Sequence, residues 1–116
     1  MQASIRPLTF FPVYCASKAE LDALTKTMAV EFGKHKIRVV SINPAGIETS
    51  NTGRHLGMST EQHVERVNKL LPGRFPLDEV LTPVEQVVNT ILFLASGIAG
   101  VMTGNSVALD GGLLAT

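Results

Sequence analysis

The sequence predicts an α/β protein, one end of a doubly wound parallel sheet that this chain leaves incomplete. Three observations predict it. A helical pattern leads into a β-branched run with little alternation, Ile37–Ile42, which suits a strand buried on both faces. A strongly apolar helix pattern follows at Pro83–Ala95, and a second short strand pattern, Ser106–Leu109, comes near the end. The stretch from Ile37 to Leu109 therefore fits a right-handed crossover joining two parallel strands. Two such strands alone leave edges unpaired and faces uncovered. The expected organisation is one partial domain over residues 1–116.

Each element has its own warrant. Residues Met1–Val13 read as a loop, because Pro7 and Pro12 interrupt any period. From about Cys15 to Gly33, Leu21, Leu24 and Met28 recur at helical spacing among the helix formers Ala16, Ala23 and Ala29. Gly33 is the expected C-cap, with Lys34 placing charge near the helix end. Asn43-Pro44-Ala45-Gly46 stops the strand, and the carboxyl end of a strand is where open α/β sheets build their sites. Residues 48–60 are polar. Ser59 is the expected cap of a helix reaching about Leu71, with Glu61 and Gln62 in its first turn. Pro72–Thr82 reads as irregular. Thr82 is the expected cap of the next helix, with Pro83 at its first position and Glu85 three residues on. Val84, Val87, Val88, Ile91, Leu92 and Leu94 give that helix a broad apolar face that needs a sheet to lie on.

Composition narrows the function classes. Hydrophobic residues make up 45% and charged residues 17%, enough for a core and too few charges for bulk disorder. Ten basic residues balance ten acidic ones, which gives no electrostatic footprint for nucleic acid or an anionic membrane. No run approaches the ~20 apolar residues of a membrane span, and the first residues do not resemble a signal peptide. The lone cysteine, Cys15, cannot close an internal disulfide, so a reducing compartment such as the cytoplasm is expected. His35, His55 and His63 lack metal-ligand spacing, and no metal is expected.

The chemistry-bearing pair is Tyr14 and Lys18. Four residues apart at a helix start, they share one face. An ammonium near a phenol favours the phenolate, and a tyrosine so placed can give a proton to an alkoxide or take one from an alcohol. Such a pair also arises on ordinary helices by chance, so spacing alone does not decide its role.

The surrounding residues add a family resemblance. Tyr14-Cys15-Ala16-Ser17-Lys18 resembles the Tyr-x-x-x-Lys signature of the short-chain dehydrogenase/reductase family. Asn43-Pro44-Ala45-Gly46-Ile47-Glu48-Thr49 resembles that family's loop after a strand. Phe75-Pro76-Leu77, Pro83–Val87, Thr103-Gly104 and Leu109-Asp110-Gly111-Gly112 resemble its later blocks in order. The likeness covers nearly the whole chain and extends to a carbonyl reductase branch that acts on dicarbonyls and sugars. It implies a Rossmann-type sheet and hydride transfer between NADP(H), or NAD(H), and a small carbonyl. It also implies that Tyr14 is the acid/base and that Lys18 holds the nicotinamide ribose and lowers the tyrosine pKa. Tyr14 and Lys18 with Pro44, Ala45, Ile47 and Thr49 would form the nicotinamide side of the cofactor site. Without the resemblance, Ile47 reads as a core residue, Thr49 as a helix cap and Pro44 as a strand stop.

The chain departs from the family in several places. No Gly-x-x-x-Gly-x-Gly or Gly-x-Gly-x-x-Gly turn occurs, so the dinucleotide-binding half is expected to be absent. The family serine that polarises the carbonyl falls at Met1, which cannot donate a hydrogen bond, and Ser4 is the nearest hydroxyl. Ala45 stands where the family usually has glycine, and Asp78-Glu79 where many relatives carry Gly and a basic residue. Two readings follow. One is a carbonyl reductase lineage whose 116-residue piece is inactive alone. The other is a truncated, non-catalytic chain acting through contacts of Leu21, Leu24, Met28 and Phe32 with a second copy or a full-length relative.

Overall fold

The computed structural model describes residues 12–116, apart from the side chain of His55. Met1 and Ser4, and most of the expected Met1–Val13 loop, lie outside the described residues. The first described helix, α1 (Pro12–Gly33), includes residues ahead of its apolar period, and proline is tolerated in a first turn that needs no N–H. Its end differs from expectation. Lys36 N donates to Gly33 O at 2.9 Å, Ile37 N reaches back to Phe32 O at 3.3 Å, and Lys36 takes the left-handed conformation at φ 62°. This is a Schellman closure with lysine, not Gly33, at the left-handed position.

The strand after it, β1 (Ser41–Pro44), lies later than the expected Ile37–Ile42. The reason is its partner. Strand β4 (Ser106–Leu109) runs parallel to β1, with Ser41 opposite Ser106 and Pro44 opposite Leu109. Before Ser106 the chain turns at Gly104, and that turn holds Val39 instead, Gly104 N donating to Val39 O at 2.8 Å. Pro44 fits the last strand position because the ladder is carried by its neighbours: Ala45 N donates to Leu109 O at 3.0 Å.

A second pair of strands was not expected. β2 (Gly46–Ile47) runs parallel to β3 (Leu81–Thr82); Gly46 closes the stretch that read as a strand stop, and Leu81-Thr82 ends the stretch that read as irregular. Strands of two residues carry no detectable period. Gly46 permits the approach, since a Cβ there would stand 2.7 Å from Leu81 Cδ2. Thr82 does not cap the next helix. Its hydroxyl donates to Leu109 O at 2.7 Å and so joins the two sheets.

Helix α2 (Thr60–Leu70) has the expected cap: Ser59 accepts from Gln62 N while the Gln62 side chain accepts from Ser59 N. Helix α3 (Val84–Ala95) has Pro83 at its N-cap and no side-chain cap. Only Val87 and Leu94 of its apolar face are buried, while Val84, Val88, Ile91 and Leu92 remain exposed. The face exists, but the described sheet covers only part of it. The main core is Phe75, Val80 and Leu113, packed by Ala45, Val64, Val67 and Leu71.

Candidate active site

Helix α1 is positioned over β1 and β4 by two anchors. Near its C-terminal end, Ala29 lies against Gly104, where a Cβ would stand 3.5 Å from the Ala29 Cβ. In its middle, Asp22 Oδ1 accepts from Ser106 Oγ at 2.8 Å and from Ser41 Oγ at 3.4 Å. The two serines also bond each other at 2.8 Å. Gly104 precedes β4 and Ser106 opens it, so the helix runs opposite to the strands. Its first turns therefore point toward the strands' carboxyl ends. A helix rises about 1.5 Å per residue and a strand about 3.3 Å, so Tyr14 and Lys18 lie near the level of Pro44 and Ala45. That is the end of the sheet where the sequence placed the site.

The residues of α1 that are not exposed are Cys15, Lys18, Asp22, Thr25, Met28 and Ala29, a stripe facing the sheet. Lys18 belongs to this stripe, and Tyr14 stands beside it at 39% exposure. Lys18 Nζ lies 5.4 Å from the centroid of the Tyr14 ring, within cation–π range. The pair thus meets as the spacing required. The expected lowering of the tyrosine pKa does not hold in this arrangement. Partial burial, and then the neighbouring Cys15 thiol, push the phenol above its ordinary value of 10.0. The ammonium over the ring does not offset these two effects.

The other predicted residues form a connected turn. Pro44 ends β1, and Ala45 is tied to Leu109. Ile47 is half-buried in β2, neither a core residue nor free surface. Glu48 N donates to Thr82 O at 3.0 Å, and alternation in a parallel ladder then turns the Ile47 N–H to the opposite edge. Thr49 is exposed and caps no helix. Its backbone carbonyl accepts from Thr52 N at 2.9 Å, and Thr52 Oγ1 donates to Ile47 O at 2.7 Å, which fixes the turn leaving β2.

Sequence reasoning missed Asn43, which is 1% exposed with neither carboxamide atom hydrogen-bonded among the described residues. It also missed the Asp22–Ser41–Ser106 cluster. The available signal was polar residues at alternate positions, 41 and 43, of an otherwise apolar strand. Among the described residues, no group of three His, Cys, Asp or Glu side chains is placed to hold a metal. No described helix is long and apolar enough to cross a membrane.

The sequence profile described as "Enoyl-(Acyl carrier protein) reductase" matches residues 1–114. The chain belongs to the short-chain dehydrogenase/reductase family. It is 45% identical over 115 residues to L-xylulose reductase of Bos taurus, covering 99% of this chain and 44% of that protein. It is 40% identical over 103 residues to carbonyl reductase [NADPH] 2 of Sus scrofa, covering 89% of this chain and 39% of that protein. These relatives place it on the family's xylulose and carbonyl reductase branch. The solved structure of 4-hydroxyisoleucine dehydrogenase complexed with NADH superposes with a TM-score of 0.82 at 32% identity, covering 98% of this chain and 44% of that one. The Rossmann-type likeness confirms the α/β class, with only part of the sheet in this short-chain dehydrogenase/reductase. The chain spans less than half the length of the relatives it matches.

Proposed function

We propose that the protein containing this chain reduces small carbonyls of the dicarbonyl or sugar type with NADP(H), NAD(H) being the second choice. One observation carries the reading: the Tyr14–Lys18 turn lies at the same end of the sheet as the Pro44–Ala45 turn and the outward edge of Ile47. In this reading a proton donor and a nicotinamide platform share that end of the sheet. The naming of relatives as L-xylulose reductase and as an NADPH carbonyl reductase supports both the substrate class and the phosphorylated dinucleotide. The cytoplasm, with its reduced cofactor pool, is the compartment that suits it.

The residues fit the nicotinamide end of a dinucleotide. Pro44 and Ala45 would face the ring, the Ile47 N–H its carboxamide, and Thr49 would contact the cofactor where the next loop starts. Lys18 would hold the ribose hydroxyls. When bound, the dinucleotide supplies a hydride to the carbonyl carbon. Tyr14 supplies the proton: its O–H bonds the carbonyl oxygen and transfers H⁺ as that oxygen becomes an alkoxide. The Lys18 ammonium favours the phenolate left behind. The pyrophosphate and adenosine have no glycine-rich turn in these 116 residues. The 116-residue polypeptide by itself is therefore expected to be inactive.

The test is NADPH oxidation with a diketone and a ketopentose, using the protein at its native length. Tyr14→Phe should lower kcat by roughly 10²–10⁴-fold. Undiminished turnover in that variant would remove Tyr14 from the chemistry. Full activity in the 116-residue polypeptide would overturn the expectation that it needs further chain.

The exposed apolar side chains of α1 favour a second reading. Leu21 and Leu24 are nearly half exposed and suit contact with another copy or with a full-length relative. In that role the chain acts through association and not through turnover.

A further inference from the structure

We infer that Asn43 is a positioning residue for Lys18: its buried carboxamide is the sheet-side seat that takes the lysine ammonium. The inference deepens the reductase reading of the Tyr14–Lys18 pair, but its test does not depend on activity.

The argument starts from register. Ser41 and Asn43 are two residues apart on β1, so both side chains leave the same face of the sheet. Ser41 reaches Asp22, which fixes that face as the one under α1. Lys18 is one turn before Asp22 on the same helix stripe, about 6 Å nearer the helix start. Asn43 is about 6.6 Å beyond Ser41 along the strand. Helix and strand run in opposite senses, so the two steps lead in the same direction. Asn43 thus lies beneath Lys18 as Ser41 lies beneath Asp22.

The state of Asn43 supplies the second observation. It is 1% exposed, and both Oδ1 and Nδ2 lack a hydrogen bond among the described residues. A buried amide with neither group satisfied is rare in folded proteins and calls for a partner. Its strand neighbour Ala108 offers no polar side chain. Lys18 brings three N–H donors on a flexible stem to the same level and is itself half-buried. Its ammonium sits over the Tyr14 ring in this structure. Asn43 Oδ1 provides the alternative seat, in which the charge is hydrogen-bonded at the sheet and still held beside the phenol. Replacing the amide by an apolar group removes that seat and releases Lys18 toward solvent, away from the phenol.

The sequence contains one tyrosine and no tryptophan, so phenolate absorbance reports Tyr14 alone. The experiment titrates that signal in four forms of the chain: unaltered, Asn43→Leu, Lys18→Met, and the double variant. With Lys18 present, Asn43→Leu should raise the Tyr14 midpoint by about half a pH unit, a roughly 3-fold change in acidity constant. With Lys18→Met in place, the same change at Asn43 should leave the midpoint unmoved. Equal shifts in both backgrounds, or none in either, overturn the inference. If Asn43→Leu unfolds the chain, the unaltered protein decides. A nuclear Overhauser contact between the Lys18 ε-methylene and the Asn43 carboxamide protons is expected. Its absence, with Asp22–Ser106 contacts observed, overturns the seat. Loss of the reductase reading through Tyr14→Phe kinetics would leave either result standing.

Discussion

Asp22 and Ser106 are 84 residues apart in sequence and joined by a 2.8 Å hydrogen bond, carboxylate to hydroxyl. With Ser41 completing the cluster, this contact fixes the middle of α1 to the starts of β1 and β4. Asp22→Ala leaves two half-buried hydroxyls with only each other. A hydrogen bond to a charged group contributes about 1.5–3 kcal/mol, so the variant should lose about 2 kcal/mol in urea unfolding. Ser106→Ala should lose less, because Asp22 keeps Ser41. A double variant no worse than Asp22→Ala alone confirms that the two residues act together; strictly additive losses would contradict it.

Tyr14 should titrate above 10.0 in the absorbance experiment. Burial raises it first and the Cys15 thiol second. Cys15→Ser should therefore bring the midpoint part of the way down, leaving the contribution of burial. The linkage has a definite sign. A group raised in the folded state stabilises fully below its unfolded value, and that stabilisation is lost as pH rises through the folded value. Tyr14 thus adds to alkaline lability only above pH 10.0, and solvent screening at its exposed site keeps the effect small. A midpoint below 10.0 would show that Lys18 dominates after all.

Ser59 performs two tasks at the start of α2. Its oxygen accepts from Gln62 N at 3.2 Å, and its hydroxyl donates to Glu61 Oε2 at 2.7 Å. That donation holds the Glu61 carboxyl below its ordinary value of 4.5, with a backbone hydrogen bond adding to it. Ser59→Ala should cost about 1 kcal/mol of stability through the lost cap. It should also return the Glu61 titration, followed by carboxyl carbon NMR, toward 4.5. The depressed value means that Glu61's small contribution is present above pH 4.5 and fades as pH falls. An unchanged Glu61 midpoint in Ser59→Ala would remove the hydroxyl as its cause.

The parts of this fold legible in the sequence are those that repeat or carry a local signal. β4 matches its reading at both ends, because Thr103-Gly104 and Gly111-Gly112 bracket it. The Ser59 cap was legible because its partner Gln62 is only three residues away. β1 was misplaced toward Ile37 because its limits depend on where β4 begins, more than 60 residues later. Lys36 was missed as the left-handed closing residue because Gly33 is the better intrinsic candidate, yet the return of Ile37 N to Phe32 O fixes the position. The shared face of Tyr14 and Lys18 was legible from helical spacing, whereas the burial of Asn43 was not, since it depends on what packs against β1 and only the polar pattern at positions 41 and 43 hinted at it. The direction of the Tyr14 shift was misread because proximity to Lys18 was weighed without burial or Cys15.

The Gly111-Gly112 turn should tolerate no side chain. Gly111 has φ 60°, and a Cβ there would stand 2.8 Å from Glu79 O. Gly112 has φ 88°, and its Cβ would meet the Pro76 ring at 2.9 Å. Asp110 secures the turn, its two carboxylate oxygens accepting from Gly112 N and Leu114 N, each at 3.0 Å. Gly112→Ala adds left-handed strain to a clash with a rigid ring, so a loss of about 2 kcal/mol or more is expected in thermal or urea unfolding. Gly57→Ala is the control, because φ is 67° there but no atom lies within 4 Å. Its loss should be smaller, and equal losses would mean that backbone conformation alone sets the cost.

The apolar surface of the described chain should drive association. Leu21 and Leu24 on α1, and Ile91, Leu92 and Phe93 on α3, each leave between 44% and 63% of their area exposed. Large exposed apolar side chains on two helices favour burial against a second copy. Ten acidic residues against ten basic ones leave no net charge to keep copies apart. Light scattering across a dilution series should therefore show oligomers or aggregates whose size grows with concentration. Placing charge on α1, with Leu21→Glu and Leu24→Glu together, should shift the distribution toward monomer if that helix is the contact. The matching change on α3, Ile91→Glu with Leu92→Lys, tests the other face. Ile91 and Leu92 leave the helix about 100° apart, so each substitution reports a different side of it. A monomer at every concentration in the unaltered chain would contradict association through these side chains.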